Sequence, residues 1–382
     1  MKKRDFLRTG SAAAAACLWP WAGLAHGAAG AASSHTLAAA WRQQDAPGGG
    51  TRDCVGLLRL DWEGAQVQVK SALEVPTRAH DLLAQPDGGF VAVAFRPGTW
   101  LVRCDAQGRA VQWHSMERES EGRTLDGHAC ASADGQWLYT TETNPHSGQG
   151  WISVRDRRNL QKVAQWRTFG VEPHQVLLDP SGALMVANGG ILRGQGDQKR
   201  DLHRMDPSLV RLDPRNGERL GQWRLKDPRL GIRHMAWSTP QGAGASPLLG
   251  IALQNEHDDV ALRRNAPVLA VWDGQGVQTP CADARGGGYS GDIVAGPEGG
   301  FVLSCLRTNM ALHWSPSAPA DVQVVAQLRE VGALAPLAPQ GQAEGVLLAA
   351  ASGVGRWHPA MPAVFMPWPG GMAPDNHWVL LG

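Results

Sequence analysis

The chain reads as an all-β protein, a seven-bladed β-propeller of four-stranded blades whose ring is closed by strands from both ends of the chain. Three observations lead there. First, a hydrophobic strand ending in Asp and followed by a Gly- or Asn-bearing turn recurs as LLRLDWEG, LVRCDAQG, ISVRDRRN, LVRLDPRNG and LAVWDGQG, at Asp61, Asp105, Asp156, Asp213 and Asp273. ALHWSPSA at Ser315 and VGRWHPA at His358 are degenerate copies, and the interval of about 50 residues falls in the range of propeller repeats. Second, each copy is preceded by a strand, a turn such as PDG, ADG, PSG or PEG, and another strand, which makes four strands per unit. Third, 47 Gly and 25 Pro punctuate the chain, and 16 Trp against two Tyr supply large apolar bodies for packing between sheets. A small twisted sheet buries its faces only against its neighbours around a ring, so the repeat predicts a closed circle.

Taken in order, residues 1–32 read as an export signal. Lys2, Lys3 and Arg4 form a basic start, an apolar small-residue stretch follows, and an Ala- and Gly-rich run supplies the cleavage zone. Lys3-Arg4-Asp5-Phe6-Leu7-Arg8 is similar to a twin-arginine motif with Lys in the first place. Residues 33–382 then form a single propeller domain. Inner strands are expected near residues 80, 128, 174, 234, 291 and 333. A further blade from residues 35–75 lacks an inner strand, which Asn376-His377-Trp378-Val379-Leu380-Leu381 can supply. In each repeat the Asp carboxylate is expected to accept backbone N–H bonds in its own turn, a structural duty.

Composition excludes several functions. The 36 Lys+Arg balance 35 Asp+Glu with no basic block, so nothing marks a nucleic-acid surface. No apolar run approaches the length of a membrane span. Beyond the signal, Cys54, Cys104, Cys130, Cys281 and Cys305 form no CxxC, and their spacing leaves any disulfide pairing open.

The sharpest signal is histidine at one position in successive blades. His80, His128, His174 and His234 begin inner strands, with Gly291 in the fifth place. The ends of second strands carry Arg96, Glu142, Asn188, Asn255 and Arg307, and both sets are expected to ring one funnel mouth. Neutral imidazole is the commonest metal ligand, so the four histidines are candidate ligands for Fe, Cu or Zn, with Glu142 or Glu256 as an oxygen donor nearby. The same histidines could instead bond the backbone of neighbouring blades, or one could act as a general base. Asp81 and Asp292, each one place after its strand start, are expected to bond strand neighbours rather than to orient a ring nitrogen. The stretch ILRGQGDQKRDLHRMDP, residues 190–206, is a long loop on the funnel side, basic at Lys199, Arg200, His203 and Arg204. Such a loop on a rigid ring suits a lid or an anion-contacting arm.

The residues Arg96-Pro97-Gly98, Gly127-His128, Leu138-Tyr139-Thr140-Thr141-Glu142, Pro173-His174-Gln175, Val186-Ala187-Asn188-Gly189-Gly190-Ile191, Met205-Asp206-Pro207-Ser208-Leu209 and Ile232-Arg233-His234 resemble an uncharacterised bacterial family. It consists of exported YVTN/WD40-like propeller proteins of unknown function. The family phrase usually has Glu where this chain has Gln175, and Asn where it has Thr143. The resemblance covers much of the mature chain. It implies a propeller and a periplasmic place in iron acquisition, since the family's genes commonly neighbour those of imelysin-type peptidases and di-haem oxidoreductases.

Three functional readings follow. One is a non-enzymatic periplasmic binding propeller, an accessory of iron or metal uptake that takes a metal, a metal complex or an imelysin-like partner at the His-ringed funnel. The second is a lactonase-like propeller hydrolase with a funnel His as general base and Arg96 or Arg307 at the oxyanion. It rests on fold analogy, since no GxSxG, P-loop or dinucleotide fingerprint occurs. The third is a scaffold for a protein partner.

Overall fold

The computed structural model describes residues 34–45, 49–242, 244–337 and 345–381; the expected export segment lies outside them. Seven four-stranded antiparallel sheets are arranged as the repeat predicts. From inner to outer strand, blade one is Ala79–Ala84, Phe90–Ala94, Trp100–Cys104 and Ala110–Ser115, and blade two is Thr124–Ala131, Trp137–Thr143, Gln149–Asp156 and Lys162–Val171. Blade three is Pro173–Leu178, Leu184–Asn188, Ser208–Leu212 and Arg219–Trp223, and blade four is Leu230–Trp237, Leu249–Asn255, Leu269–Trp272 and Val277–Gln278. Blade five is Asp292–Ala295, Phe301–Cys305, Met310–Trp314 and Gln323–Gln327, and blade six is Leu334–Pro336, Val346–Ala350, Gly353–His358 and Met361–Pro367. Blade seven joins the two ends of the ring: Met372–Leu381 is innermost, followed by Ser34–Gln44, Thr51–Asp61 and Gln66–Val75. Leu381 pairs with Thr36, and Met372 with Gln43. Among the described residues one short α-helix, Val260–Asn265, interrupts the β pattern, and no helix is long and apolar enough to cross a membrane.

The turn aspartates hold their own hairpins. Asp105 accepts from the N–H groups of Gln107 and Arg109, each at 2.9 Å, and Asp273 from those of Gln275 and Gly276, also at 2.9 Å. Asp61, Asp156 and Asp213 do the same in their turns. Each blade therefore closes its third hairpin without borrowing a partner from elsewhere.

Stability comes from the seams between blades. Phe90, Trp100 and Val102 of blade one pack on Ala38, Ala40 and Val55 of blade seven. At another seam Phe301 lies so close to Gly250 that a β-carbon there would stand 2.7 Å from the ring, which requires glycine in that strand. Among the described residues, five cysteines are free thiols, four of them buried. Burial pushes the thiols of Cys104 and Cys305 up to about 12, so they are packing groups rather than nucleophiles.

One buried ion network pins blade two to the turn that precedes it. Arg155, fully buried, donates to Glu142 Oε1 at 2.6 Å, Glu119 Oε1 at 2.7 Å, Thr140 Oγ1 at 3.1 Å and the Leu160 carbonyl at 3.2 Å. Removing the cation leaves the fully buried Glu142 carboxylate without its close partner, while Glu119 keeps Lys162 at 2.7 Å. Arg155→Met should therefore lower stability by about 3–5 kcal/mol, read as a shift of the urea midpoint. A loss under about 1 kcal/mol would show that the network is solvated and weak.

Candidate metal centre

Five of the seven inner strands send a histidine to the propeller axis, and a common backbone device aims them. The pairing of inner to second strand skips register between Ala79 and Asp81, Leu125 and Ala129, Pro173 and Val176, and Ile232 and Met235. His80, His128, His174 and His234 lie inside those four skips. A fifth skip opens between Pro374 and Trp378, where the strand meets Trp41 and Ala39, and it holds His377. Blades five and six pair without a shift and carry no histidine on their inner strands. A bulge re-aims a side chain that regular pairing would hold against the sheet, so each irregularity turns an imidazole inward. Gly127 serves the same end: its φ is +108°, and a β-carbon there would stand 2.6 Å from the His80 ring.

The five rings form one buried cluster. Centroids lie 4.5 Å apart for His174–His234 and His234–His377, 4.7 Å for His80–His128 and 4.8 Å for His80–His377. His80, His128, His234 and His377 each offer one ligand atom, and these four atoms all lie within 4.8 Å of one another.

Hydrogen bonds around the rim assign the ring protons. His128 Nδ1 faces Asp81 Oδ2 at 3.1 Å and His377 Nδ1 faces Asp292 Oδ2 at 3.4 Å, so both rings carry Nδ1–H and turn Nε2 inward. His174 Nδ1 accepts from Arg96 at 3.3 Å and Arg233 at 3.4 Å. Its proton therefore sits on Nε2 and is donated to His234 Nε2, 2.8 Å away. His234 Nε2 also lies 3.0 Å from His377 Nε2. The Nε2 of His128, the Nδ1 of His234 and both ring nitrogens of His80 have no hydrogen-bond partner.

Burial, reinforced by neighbouring rings and arginines, drives the pKa values of His80, His174 and His234 well below the ordinary histidine range. His128 is lowered by burial, with Asp81 working against it. His377 moves the other way: burial opposes its charge, but the carboxylates of Asp292 and Asp81 prevail and raise it.

Asp81 and Asp292 do two jobs at equivalent places. Besides facing a histidine, Asp81 Oδ2 accepts from the Ala129 N–H at 3.3 Å and Asp292 Oδ2 from the Leu334 N–H at 2.8 Å, each on the next blade. The sequence reading expected only the strand bond. The carboxylate reaches both because the bulge brings the ring beside the neighbouring strand. Gln175, the equivalent residue of blade three, makes the same clip to the Met235 N–H.

On the funnel side the cluster is capped. The buried Glu172 carboxylate receives Arg193 Nε at 2.6 Å and Arg233 Nη1 at 3.0 Å, with Arg96 Nη1 at 3.6 Å. Burial works to raise its pKa, but the guanidiniums of Arg233, Arg193 and Arg96 hold it down at about 2. On the opposite side a cavity of about 500 Å³ reaches Asp81, Asp292 and His377 between apolar walls that include Leu177, Ile293 and Leu334.

The residues expected at the funnel mouth divide. His80, His128, His174 and His234 converge, and Arg96 reaches His174. Glu142 does not join them: it is turned into blade two, where Arg155 takes up its carboxylate. Asn188 donates to the Thr168 carbonyl of blade two, and Asn255 ties the Arg263 and Gly288 carbonyls. Glu256 pairs with Lys199, and Arg307 stacks on Tyr289 at 4.6 Å. Ends of second strands face the blade's interior or the outer loops, whereas the bulged strand starts face the axis. His377 was missing from the expected set, although its strand was assigned to the axis of blade seven. Aligning Asn376-His377-Trp378 with the other strand starts would have found it.

Fold and site together define a β-propeller with a histidine cluster on its axis. The chain belongs to the family described as a protein of unknown function (DUF1513), which it matches over residues 73–381. No curated protein matches it. Its fold is similar to that of hydrazine synthase from Kuenenia stuttgartiensis, at 13% identity and a TM-score of 0.54, covering 83% of this chain and 92% of the other. It is also similar to a catalytically inactive virginiamycin B lyase from Staphylococcus aureus solved with quinupristin, at 10% identity and 0.51, covering 82% and 92%. The Dos1 propeller is similar at 11% identity and 0.52, covering 90% and 84%. At these identities the likeness shows the fold alone.

The orphan nitrogens separate a ligand role from a structural one. A buried polar atom without a partner costs about 1–3 kcal/mol, and an apolar replacement of similar shape removes that cost. His80→Leu should therefore leave the thermal midpoint of metal-stripped protein unchanged or raise it. A clear drop would make the ring a structural element.

Proposed function

We propose that this protein is a non-enzymatic, exported binding propeller that holds one first-row divalent transition metal ion, Fe, Cu or Zn, at its axis, and that it serves metal acquisition. One observation carries the reading: four buried imidazoles from four blades present ligand atoms within 4.8 Å of one another. Around a tetrahedral ion with bonds of about 2.0–2.1 Å, ligand nitrogens stand roughly 3.3 Å apart, so a contraction of the cluster seats the ion. An all-nitrogen set suits zinc, copper, iron or nickel rather than magnesium or calcium. Two supports stand beside it. Asp81 and Asp292 hold His128 and His377 by Nδ1, the outer arrangement that fixes the ring of a metal-ligating histidine. Their two negative charges also balance a dication, which eases its burial. His174, gripped by Arg96 and Arg233 at Nδ1, is not a fifth ligand, and an ion that takes the His234 Nε2 lone pair breaks the bond His174 donates to it.

The export reading rests on the basic and apolar start of the sequence. The link to iron acquisition, with an imelysin-like protein as partner, rests on the family resemblance.

The test is elemental analysis of untagged mature protein prepared without chelator, beside a His128→Ala/His234→Ala variant and Asp81→Asn. Wild type should retain Fe, Cu or Zn near one ion per chain. The double variant should lose it while keeping its β-sheet circular dichroism. Asp81→Asn should weaken affinity by about 10- to 100-fold. Wild-type protein that stays metal-free after incubation with each ion would overturn the reading and leave a partner-binding scaffold in its place.

A further inference from the structure

Above the histidine layer lies a second arrangement that shares Arg96 with the grip on His174 but none of the four proposed ligands. A cleft of about 460 Å³ opens on the funnel face, lined by Arg96, Arg193, Glu172, Asp197, Thr143 and Asp126 among others. Its roof is the two-stranded hairpin of Leu192–Arg193 and Lys199–Arg200, within the arm that the sequence marks as basic.

The guanidiniums at the cleft converge on a single carboxylate oxygen. Arg193 Nε at 2.6 Å, Arg193 Nη2 at 2.5 Å, Arg233 Nη1 at 3.0 Å and Arg96 Nη1 at 3.6 Å crowd one oxygen of Glu172. A carboxylate oxygen has two lone pairs, so this one is oversubscribed. Behind it, Arg233 is 2% exposed, and its Nε and Nη2 find no partner. A buried guanidinium with idle donors is costly unless an anion completes it.

The hairpin tip shows which anion fits. Asp197 Oδ2 lies 3.1 Å from Arg193 Nη1 and 3.4 Å from Arg96 Nε, so one carboxylate oxygen already bridges both guanidiniums. Asp197 does so from a left-handed backbone, φ +61°, with 24% of its side chain exposed. Aspartate is among the few residues besides glycine that adopt such a backbone readily. A carboxylate brought by a ligand would take the same donors, and guanidinium forks match the planar carboxylate in particular.

We propose that this cleft is a binding site for a small organic carboxylate, gripped by Arg193 and Arg96 beneath the hairpin, with Asp197 as the built-in group it displaces. Across the cleft, the Thr143 hydroxyl donates to Asp126, which places a polar wall opposite the arginines and suits a ligand with a hydroxyl beside its carboxylate. The site uses none of the four proposed metal ligands, so it stands whether or not the axis holds an ion.

The test is isothermal titration of the full protein with lactate, acetate and inorganic phosphate, in metal-stripped and metal-loaded samples. Lactate should bind saturably in both. Arg193→Met should weaken it by about 10- to 100-fold, the scale of a lost charge-assisted pair. Asp197→Ala should strengthen it severalfold, because the internal competitor is gone. That sign distinguishes a displaced stand-in from a structural aspartate, whose loss would weaken binding. Should Arg193→Met fold poorly, wild-type protein suffices: saturating lactate should slow tryptic cleavage after Lys199 and Arg200. No saturable binding of either carboxylate, phosphate binding in their place, or weaker lactate binding by Asp197→Ala would each overturn the assignment.

Discussion

Everything in this molecule depends on the pairing of Met372–Leu381 with Ser34–Gln44. A propeller blade buries its faces only against its neighbours, so an open ring would expose two apolar seams. The backbone bonds from Leu381–Thr36 to Met372–Gln43 convert a row of small sheets into a closed circle with no open seam between blades. The same ten residues carry His377. Closure of the fold and completion of the histidine cluster are one event, which is why the cluster is legible only when the two ends of the sequence are considered together.

A second constraint acts at the axis. Seven strands converge on a narrow space, and five of them place an imidazole there with almost no access to water. Ordinary packing would fill that space with Val, Leu or Ala. Retaining five polar rings, several with unpartnered nitrogens, works against stability. The bulges that aim them give up ladder hydrogen bonds as well. Asp81 and Asp292 offset part of this because each carboxylate clips the next blade's backbone while it fixes a ring, so the site is tied into the seams that hold the propeller together.

The sequence carried the fold almost completely. The repeat with its terminal aspartate, the glycine-rich turns and the missing inner strand of the first blade led to seven blades and their closure, because these features are local and period-bound. It carried four of the five axial histidines for the same reason. His377 escaped since its strand lacks the turn and second strand that mark the other copies; its partner strand lies more than 300 residues away in the chain. The residues at the ends of second strands were placed at the funnel by topology alone. Topology gives the face of a strand end but not the direction of its side chain. Glu142 found a buried arginine, and Asn188 and Asn255 found backbone carbonyls, each a nearer partner than the axis. The double duty of Asp81 and Asp292 depends on bulge geometry, which no local sequence pattern specifies.

The shared strand has a kinetic consequence. Since Met372–Leu381 is both the latch of the ring and the wall that bears His377, any fraying of this strand opens the axis at the same moment. Were an ion seated on the axis, each such opening would leave it with three rings in place of four. Amide hydrogens of this one strand would thus act as a clock for the site. A protein that pulled on this strand would withdraw His377 from the cluster and leave the other rings in place.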